Sequence, residues 1–510
     1  MINFKYNMEK YLYKPNYGKK DYNFIMAYPA NRSLALASIG YLWLFKIVDT
    51  FNGINAERVC TDSAKINIKN INAIAFSMSF DFDFMGVFEI LEKNNIPIRR
   101  KERIDNHPLV FAGGPVITTN FLPYFDIFDF FILGDGEEIF PEILTILAKK
   151  EEKDLTLKKL ADLDGIYVPD YSKSVNKRTC KLKDIIYTPI LSEDSYFKDT
   201  FIIEIERGCM NRCAFCSASY LNLPMRYYDY NKITKIIDLG LKYTNKIALL
   251  GAQLNAHPDF EKILEYIYDK IQDGNKIELG ISSLRTDAIT PNLIKILVAG
   301  GQKTSTIAIE AATERLRKFI NKNLKDEQIF NAVKTCRENG LNGLKIYSMI
   351  GIPTETDEDI EAFIKLAQKL KNENKGFKLT FSFSSFVPKP HTPLQWAKTE
   401  SVNYIEKKQN YLKKELAKIG VDSKFSSAKW DFRQAVLSRG NNNLGEALIN
   451  IYKNKGSNKS YNDLFKLAGA NPKLGLDELD KDKDLCWEIE KFPENKVTLI
   501  KEIERLYKYS

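Results

Sequence analysis

Three of the seven cysteines fall within eight residues, in Cys209-Met210-Asn211-Arg212-Cys213-Ala214-Phe215-Cys216. Thiolates are soft ligands suited to iron-sulfur clusters, and intervals of three and two residues let one short loop reach several corners of one cluster. A cuboidal four-iron cluster held by three thiolates keeps an open position on its fourth iron, as a catalytic zinc ion keeps one for substrate. The competing chemistry is a structural zinc knuckle. It needs a fourth ligand nearby, and the nearest downstream histidines, His257 and His391, are distant in sequence. Cys60, Cys180, Cys336 and Cys486 lack motif spacing and read as core residues or free thiols.

The elements that must position these thiols alternate in type. The apolar run 201–205 leads into the cysteines, and further runs at 246–250, 277–283, 304–309, 344–349 and 379–386 are each separated by a helix-length segment. Ahead of them, 23–28, 71–77, 109–112 and 128–133 are short apolar runs followed by helical patterns, which implies a second parallel sheet. Two of these end in glycine turns, Gly113-Gly114-Pro115 and Gly134-Asp135-Gly136, where backbone can approach a ligand. The expected organisation is therefore α/β: a doubly wound domain over 1–150, a hairpin and linker over 151–195, a strand-helix repeat over 196–400 and a helical extension over 401–510.

The cysteine spacing, with Phe215 before the last cysteine, resembles the signature of the radical S-adenosylmethionine (SAM) superfamily. The resemblance implies a partial (β/α)6 barrel with its chemistry at the carboxyl ends of the strands, Cys209, Cys213 and Cys216 on a 4Fe-4S cluster, and SAM chelated to the open iron. It further implies an external low-potential electron donor and a 5'-deoxyadenosyl radical that abstracts hydrogen. Residues carried over as SAM contacts are Phe215 and Gly351 beside the adenine, Gln253 where many relatives place a glutamate, Arg285 for a carboxylate, and Glu310 at the end of the fourth strand. Gln253 brings no negative charge, and Ala312 stands where relatives of the Glu310 segment have glycine.

The segments 112–115 and 134–138 resemble the cobalamin-binding-like domain found ahead of many such barrels, and so raise cobalamin as a further cofactor. The Asp-x-His-x-x-Gly segment that offers an axial histidine is missing; Tyr28-Pro29-Ala30-Asn31-Arg32-Ser33 follows the first strand, and only His107 lies in this region. Ser384-Ser385-Phe386-Val387-Pro388-Lys389-Pro390-His391-Thr392-Pro393-Leu394-Gln395-Trp396 resembles a segment of one largely uncharacterised group of the superfamily. Its three prolines fix a loop that either packs or offers Lys389, His391 and Trp396 to a substrate. Beyond it, leucine spacing at 404–419, 444–452 and 497–506 predicts amphipathic helices that cap the barrel.

At 510 residues with 44% hydrophobic content and no apolar run near twenty, the chain is expected to be free of membrane spans. No signal-peptide pattern follows Met1, and a low-potential cluster suits a reducing compartment, so a cytoplasmic location is expected. The net charge of +9 is spread among interspersed Lys, Asp and Glu, with no aromatic-basic module of an RNA reader. The leading expectation is a radical SAM enzyme that modifies, for example methylates, a substrate the sequence does not identify. The alternatives are an iron-sulfur RNA-binding or RNA-modifying protein and a zinc-stabilised scaffold.

Overall fold

The computed structural model describes residues 8–16, 18, 20–67, 70–467 and 477–510. Residues 1–7, on which the expectation about targeting begins, lie outside the described residues.

The N-terminal sheet runs in the spatial order Gly53–Val59, Lys20–Ala27, Ala73–Ser77, Leu109–Gly113, Phe130–Ile132, all parallel, with Ile166–Tyr167 added antiparallel at the edge. Its strands are near-continuous apolar runs because both faces are covered. One face packs on the helices Ile39–Thr50 and Gly136–Leu147 through Tyr41, Leu42, Phe45, Phe140 and Ile143. The other packs on Phe84–Lys93 and on two helices from the far end of the chain, Ala428–Ser438 and Gly445–Lys453, through Val436, Leu437, Leu448 and Ile451. Strand order reverses between Lys20–Ala27 and Ala73–Ser77, the crevice where ligands of open parallel sheets gather. Gly86 allows the helix beside that crevice to press on the loop after the first strand, because a Cβ there would lie 2.0 Å from the Pro29 carbonyl oxygen.

The segment expected as hairpin and linker is more structured than its composition suggests. It forms the helix Lys153–Ala161, the turn at Asp164-Gly165 and the antiparallel edge strand, which blunts the sheet edge.

The second sheet lines up its parallel strands in chain order: Phe201–Glu204, Lys246–Leu250, Glu278–Ile281 continuing after a break as Leu284–Arg285, then Thr304–Glu310, Gly343–Ile350 and Lys378–Ser385. The break at Ser282-Ser283 divides it into runs of three and five strands, and the sheet does not close on itself among the described residues. Alternate residues such as Phe201, Ile203, Ile247, Leu249, Ile307, Ile346 and Phe381 bury outward against the surrounding helices. Their neighbours face the concave side and stay open; Leu250 and Tyr347 are each 39% exposed. Asp422–Phe425 adds a parallel strand next to Lys378–Ser385, so the sheet continues past residue 400.

The C-terminal region holds the expected helices at Val402–Lys418, Gly445–Lys453 and Lys496–Leu506. They do more than cap the barrel, since the middle one covers the N-terminal sheet and the last one lies on the cysteine loop. No helix among the described residues is long and apolar enough to cross a membrane.

Candidate active site

The cysteine loop leaves the first barrel strand through Glu206-Arg207-Gly208. Cys209 and Cys213 are 8% and 7% exposed and Cys216 is half-buried; all three thiols are free. The loop is pinned from several sides. Asn321 Nδ2 donates to the carbonyls of Asn211 (3.2 Å) and Arg212 (2.9 Å), and the Ala214 N–H donates to the Ile320 carbonyl at 2.9 Å. The Arg212 guanidinium pairs with Glu494 at 3.0 Å and Glu502 at 3.1 Å, both from the C-terminal region.

Three thiolates bound to one zinc ion through bonds of about 2.3 Å would stand within about 4 Å of one another. Among the described residues, the group of three ligand atoms all within 4.8 Å of one another is Asp135, Glu137 and Cys180, not the cysteine trio. A cubane does not need its three thiolates to meet at one point, since each takes a different iron. Burial pushes the Cys213 thiol up to about 12, so a metal has to displace its proton. These features fit a cluster.

Around the trio, the expected SAM contacts fall into three groups. Gln253 Oε1 accepts from the Cys209 thiol at 3.2 Å and from Asn211 Nδ2. Glu310 closes the fourth strand in a left-handed conformation (φ 66°) at a register shift, and Lys322 Nζ reaches its Oε1 at 3.4 Å. Lys322 is a buried cation that also acts on Cys213 and feels Arg285. Arg285 itself is forked onto Asp287, with a closest approach of 2.6 Å. Phe215 packs in an apolar cluster with Met349, Ile352 and Phe386, beside the Gly351 turn (φ 76°). The structure thus brings Phe215 to the apolar cluster that adjoins the Gly351 turn, Gln253 to Cys209, and Glu310 with Lys322 toward Cys213.

Sequence reasoning missed Lys322, Asn211 and Glu206. Nothing in Asn321-Lys322-Asn323 distinguishes this lysine from its many surface counterparts; only the fold buries it. Asn211 sits among the cysteines and Glu206 three residues ahead of them, yet their partners lie on the second strand's loop, more than forty residues away.

The loop at 384–396 is a packing element. Lys389 Nζ donates to Asp81 (3.0 Å) and Ser438 (2.6 Å), tying the N-terminal sheet, the barrel and the C-terminal region together at one buried point. His391 Nε2 lies 2.8 Å from Glu490 Oε2, and its ring stacks on Phe492. Burial pushes His391 down to about 3 and Glu490 well up, so both are uncharged and one proton bridges them. Trp396 is buried with Tyr220 and Leu499. None of the three faces the barrel's concave side, because each is committed to a neighbouring segment.

Glu355, in the turn after the fifth strand, accepts the Gly351 N–H on both oxygens at 3.0 Å, and burial pushes its carboxyl up to about 8. Between pH 4.5 and 8 the folded chain therefore holds a proton the unfolded chain has released, and stability falls as pH rises through that window. Glu355→Gln is expected to flatten the decline of Tm across that window and to raise Tm at pH 8.5, as measured by calorimetry.

Between the carboxyl edge of the N-terminal sheet and the barrel lies a cavity of about 460 Å³. Gly113, Gly114 and Gly134 line it from the sheet, and Ser217, Ala218 and Leu221 from the helix that follows Cys216. Arg207 spans its edge, bonded to Asp135 (2.8 Å), Glu137 (2.6 Å) and Glu204 (2.7 Å), while Arg226 takes the other Asp135 oxygen at 2.7 Å. The guanidinium fills the place an ion would take between Asp135, Glu137 and Cys180.

Residues 203–367 match the radical SAM superfamily and 47–169 match the N-terminal region of radical SAM proteins. An uncharacterized protein of Methanocaldococcus jannaschii is 33% identical over 390 residues, 75% of this chain and 80% of its own length. The chain belongs to the radical S-adenosylmethionine superfamily. As a radical SAM protein it is an enzyme that uses a 4Fe-4S cluster and SAM and draws on an external electron donor. It falls in the group whose barrel follows a cobalamin-binding-like domain. This radical SAM enzyme is also similar to an uncharacterized methyltransferase of Pyrococcus horikoshii, 25% identical over 73% of this chain and 82% of the relative. In fold it resembles the radical SAM methyltransferase TsrM of Kitasatospora setae (TM-score 0.55, 14% identity, 73% of this chain and 75% of the other). It likewise resembles the cobalamin-dependent radical SAM enzyme OxsB (TM-score 0.53, 15% identity, 70% and 52%).

Proposed function

We propose that the protein is a corrinoid-assisted radical SAM methyltransferase. Cys209, Cys213 and Cys216 hold the cluster; Gln253, Lys322 and Glu310 orient the methionine half of SAM; Phe215 and the Gly351 turn seat its adenine. When bound, the cluster with SAM supplies a radical able to take hydrogen from an unactivated carbon, and the corrinoid supplies a methyl carrier.

The observation that carries this reading is the cavity between the N-terminal sheet and the helix after Cys216. A planar cofactor held there would lie within reach of the cluster loop, and the apolar wall, with Phe76, Phe111, Ile132 and Phe140, suits a large ring with alkyl substituents. Arg207, Asp135 and Glu137 offer donors and acceptors at its rim. The C-terminal helices pack on both the sheet and the cysteine loop and so hold the two against each other. Methyl transfer also agrees with what the Pyrococcus relative is called.

None of the histidines lines the cavity. The chain has three histidines. His107 Nδ1 accepts the Ile104 N–H just before the fourth strand begins, His257 bonds the Tyr228 carbonyl, and His391 is locked to Glu490. A bound corrinoid therefore lacks a histidine ligand from this chain, and labelling the protein with 15N-histidine is expected to leave the Co(II) EPR spectrum unchanged. The functional reading is tested by anaerobic reconstitution with and without hydroxocobalamin. Release of S-adenosylhomocysteine that depends on cobalamin, together with 5'-deoxyadenosine, supports it; 5'-deoxyadenosine alone, unaffected by cobalamin, removes the methyltransferase assignment.

A further inference from the structure

A second cavity, of about 680 Å³, runs along the concave side of the first three barrel strands. It reaches from their amino ends, at Thr200, Lys246 and Glu278, to their carboxyl ends, at Leu250 and Ser282. From Lys246 to Leu250 the extended backbone covers about 13 Å. Small residues keep the middle open: Ala248 and Gly280 are register partners, and a Cβ on Gly280 would come within 3.2 Å of the Ala248 Cβ. The charged residues of the lining, Lys246 and Glu278, stand at the amino ends, where Phe197 is 50% exposed. None of the residues assigned to the cluster or to SAM lines this space.

Its carboxyl end meets the cavity assigned above to the corrinoid. Leu250 lines both. Beside it, Ile202 lines the barrel cavity and packs with Ile39, Trp43 and Ile186, all of which line the other. Two aliphatic side chains therefore form the partition between the spaces. The chain continues from Leu250 into Gly251-Ala252-Gln253, whose amide touches Cys209. A molecule in the barrel cavity thus has one end close to the cluster loop and to the corrinoid cavity at once. The walls set its chemistry: along Ile202, Ala248, Leu250 and Gly280 a charged or hydrogen-bonding group would lose its water without compensation.

We propose that this cavity is the substrate site and takes the hydrocarbon chain of a small lipid, its polar end left at Lys246 and Glu278 and its apolar end against Leu250. The assignment rests on the methyltransferase reading, which puts a corrinoid across the partition. The volume lies within the range of roughly 300–1,000 Å³ usual for small-molecule sites. Affinity comes from apolar area taken out of water, about fourfold per methylene, and stops growing once the chain reaches the partition. Leu250 thereby sets the length of chain the enzyme accepts and how near its end comes to the corrinoid.

The test uses the full-length protein reconstituted with its cluster. Unbranched alcohols from hexanol to tetradecanol displace the neutral apolar dye N-phenyl-1-naphthylamine, followed by fluorescence, and hydroxocobalamin binding is measured separately. The natural protein is expected to bind each longer alcohol about fourfold more tightly and then to level off. Ala248→Leu and Gly280→Val, which narrow the cavity, should each weaken the longer alcohols by on the order of tenfold and leave hydroxocobalamin binding unchanged. Leu250→Ala opens the partition and should move the plateau to longer alcohols; added hydroxocobalamin should move it back. Binding that ignores chain length overturns the assignment, as does undiminished binding in a narrowed variant that melts cooperatively. If neither narrowed variant folds, Leu250→Ala decides, an unshifted plateau overturning the assignment. Should the natural protein bind no hydroxocobalamin while the alcohols and variants behave as expected, the methyltransferase reading falls and the hydrocarbon site stands. Should it bind hydroxocobalamin and fail the alcohol series, only this site falls.

Discussion

Anaerobically reconstituted Cys213→Ala protein is expected to carry well under half of the roughly four irons a cubane brings and to release no 5'-deoxyadenosine on reduction. The thiol lies at the centre of the site's electrostatics: Cys209, Cys216, Glu310 and Lys322 all act on it. Removing it takes one of three corners and leaves Lys322 facing a void. Iron and sulfide analysis with a product assay measures both effects. Full iron with product formed at the natural rate would mean that the cluster is held elsewhere.

The second large effect is expected at Arg207, one position after Glu206. Its guanidinium, 12% exposed, is shared among Asp135, Glu137 and Glu204, so Arg207→Ala strands three carboxylates at the junction of the two sheets. Removing one partner of a buried ionic network costs about 3–5 kcal/mol, which corresponds to a drop in Tm of about 10 °C for a unit of this size. The pH dependence has a defined sign. Burial by itself would raise the Asp135 carboxyl, but Arg207 and Arg226 overcome it and hold it at about 2. This stabilisation is present above pH 4 and drains away as pH falls toward 2. The natural protein should lose Tm steeply in that window and Arg207→Ala less steeply, having forfeited part of the stabilisation beforehand. A variant Tm within 2 °C of the natural value at pH 7 would show that the network is not what joins the sheets.

Much of the architecture was legible because parallel strands buried on both faces advertise themselves as apolar runs, as at 71–77, 109–112 and 201–205. The barrel strands also alternate with helices whose starts are marked by caps such as Thr290 and Thr356. The cysteine loop was legible from spacing alone. What escaped was set by contacts between distant segments. Asp422–Phe425 is polar and short, so its place beside Lys378–Ser385 is fixed by the sheet it joins, not by its own pattern. Lys389 and His391 looked available because histidine and lysine in a proline-rich loop usually are; their burial depends on Asp81 and Glu490, hundreds and about a hundred residues away in sequence. Gln253 was read from the loop after the second barrel strand, but the carboxylate beneath it could not be paired with that loop from sequence, since Glu206 belongs to a different strand.

The ion pairs from Arg212 to Glu494 and Glu502 place the lock of the cysteine loop some 280 residues downstream of the thiols. During synthesis the barrel can therefore assemble with that loop still unfastened, giving iron and sulfide a way in. The fastening helix follows the barrel in the chain, so metal loading and closure are separated in time. A chain truncated ahead of residue 494 should accept a cluster readily and surrender it to a chelator just as readily.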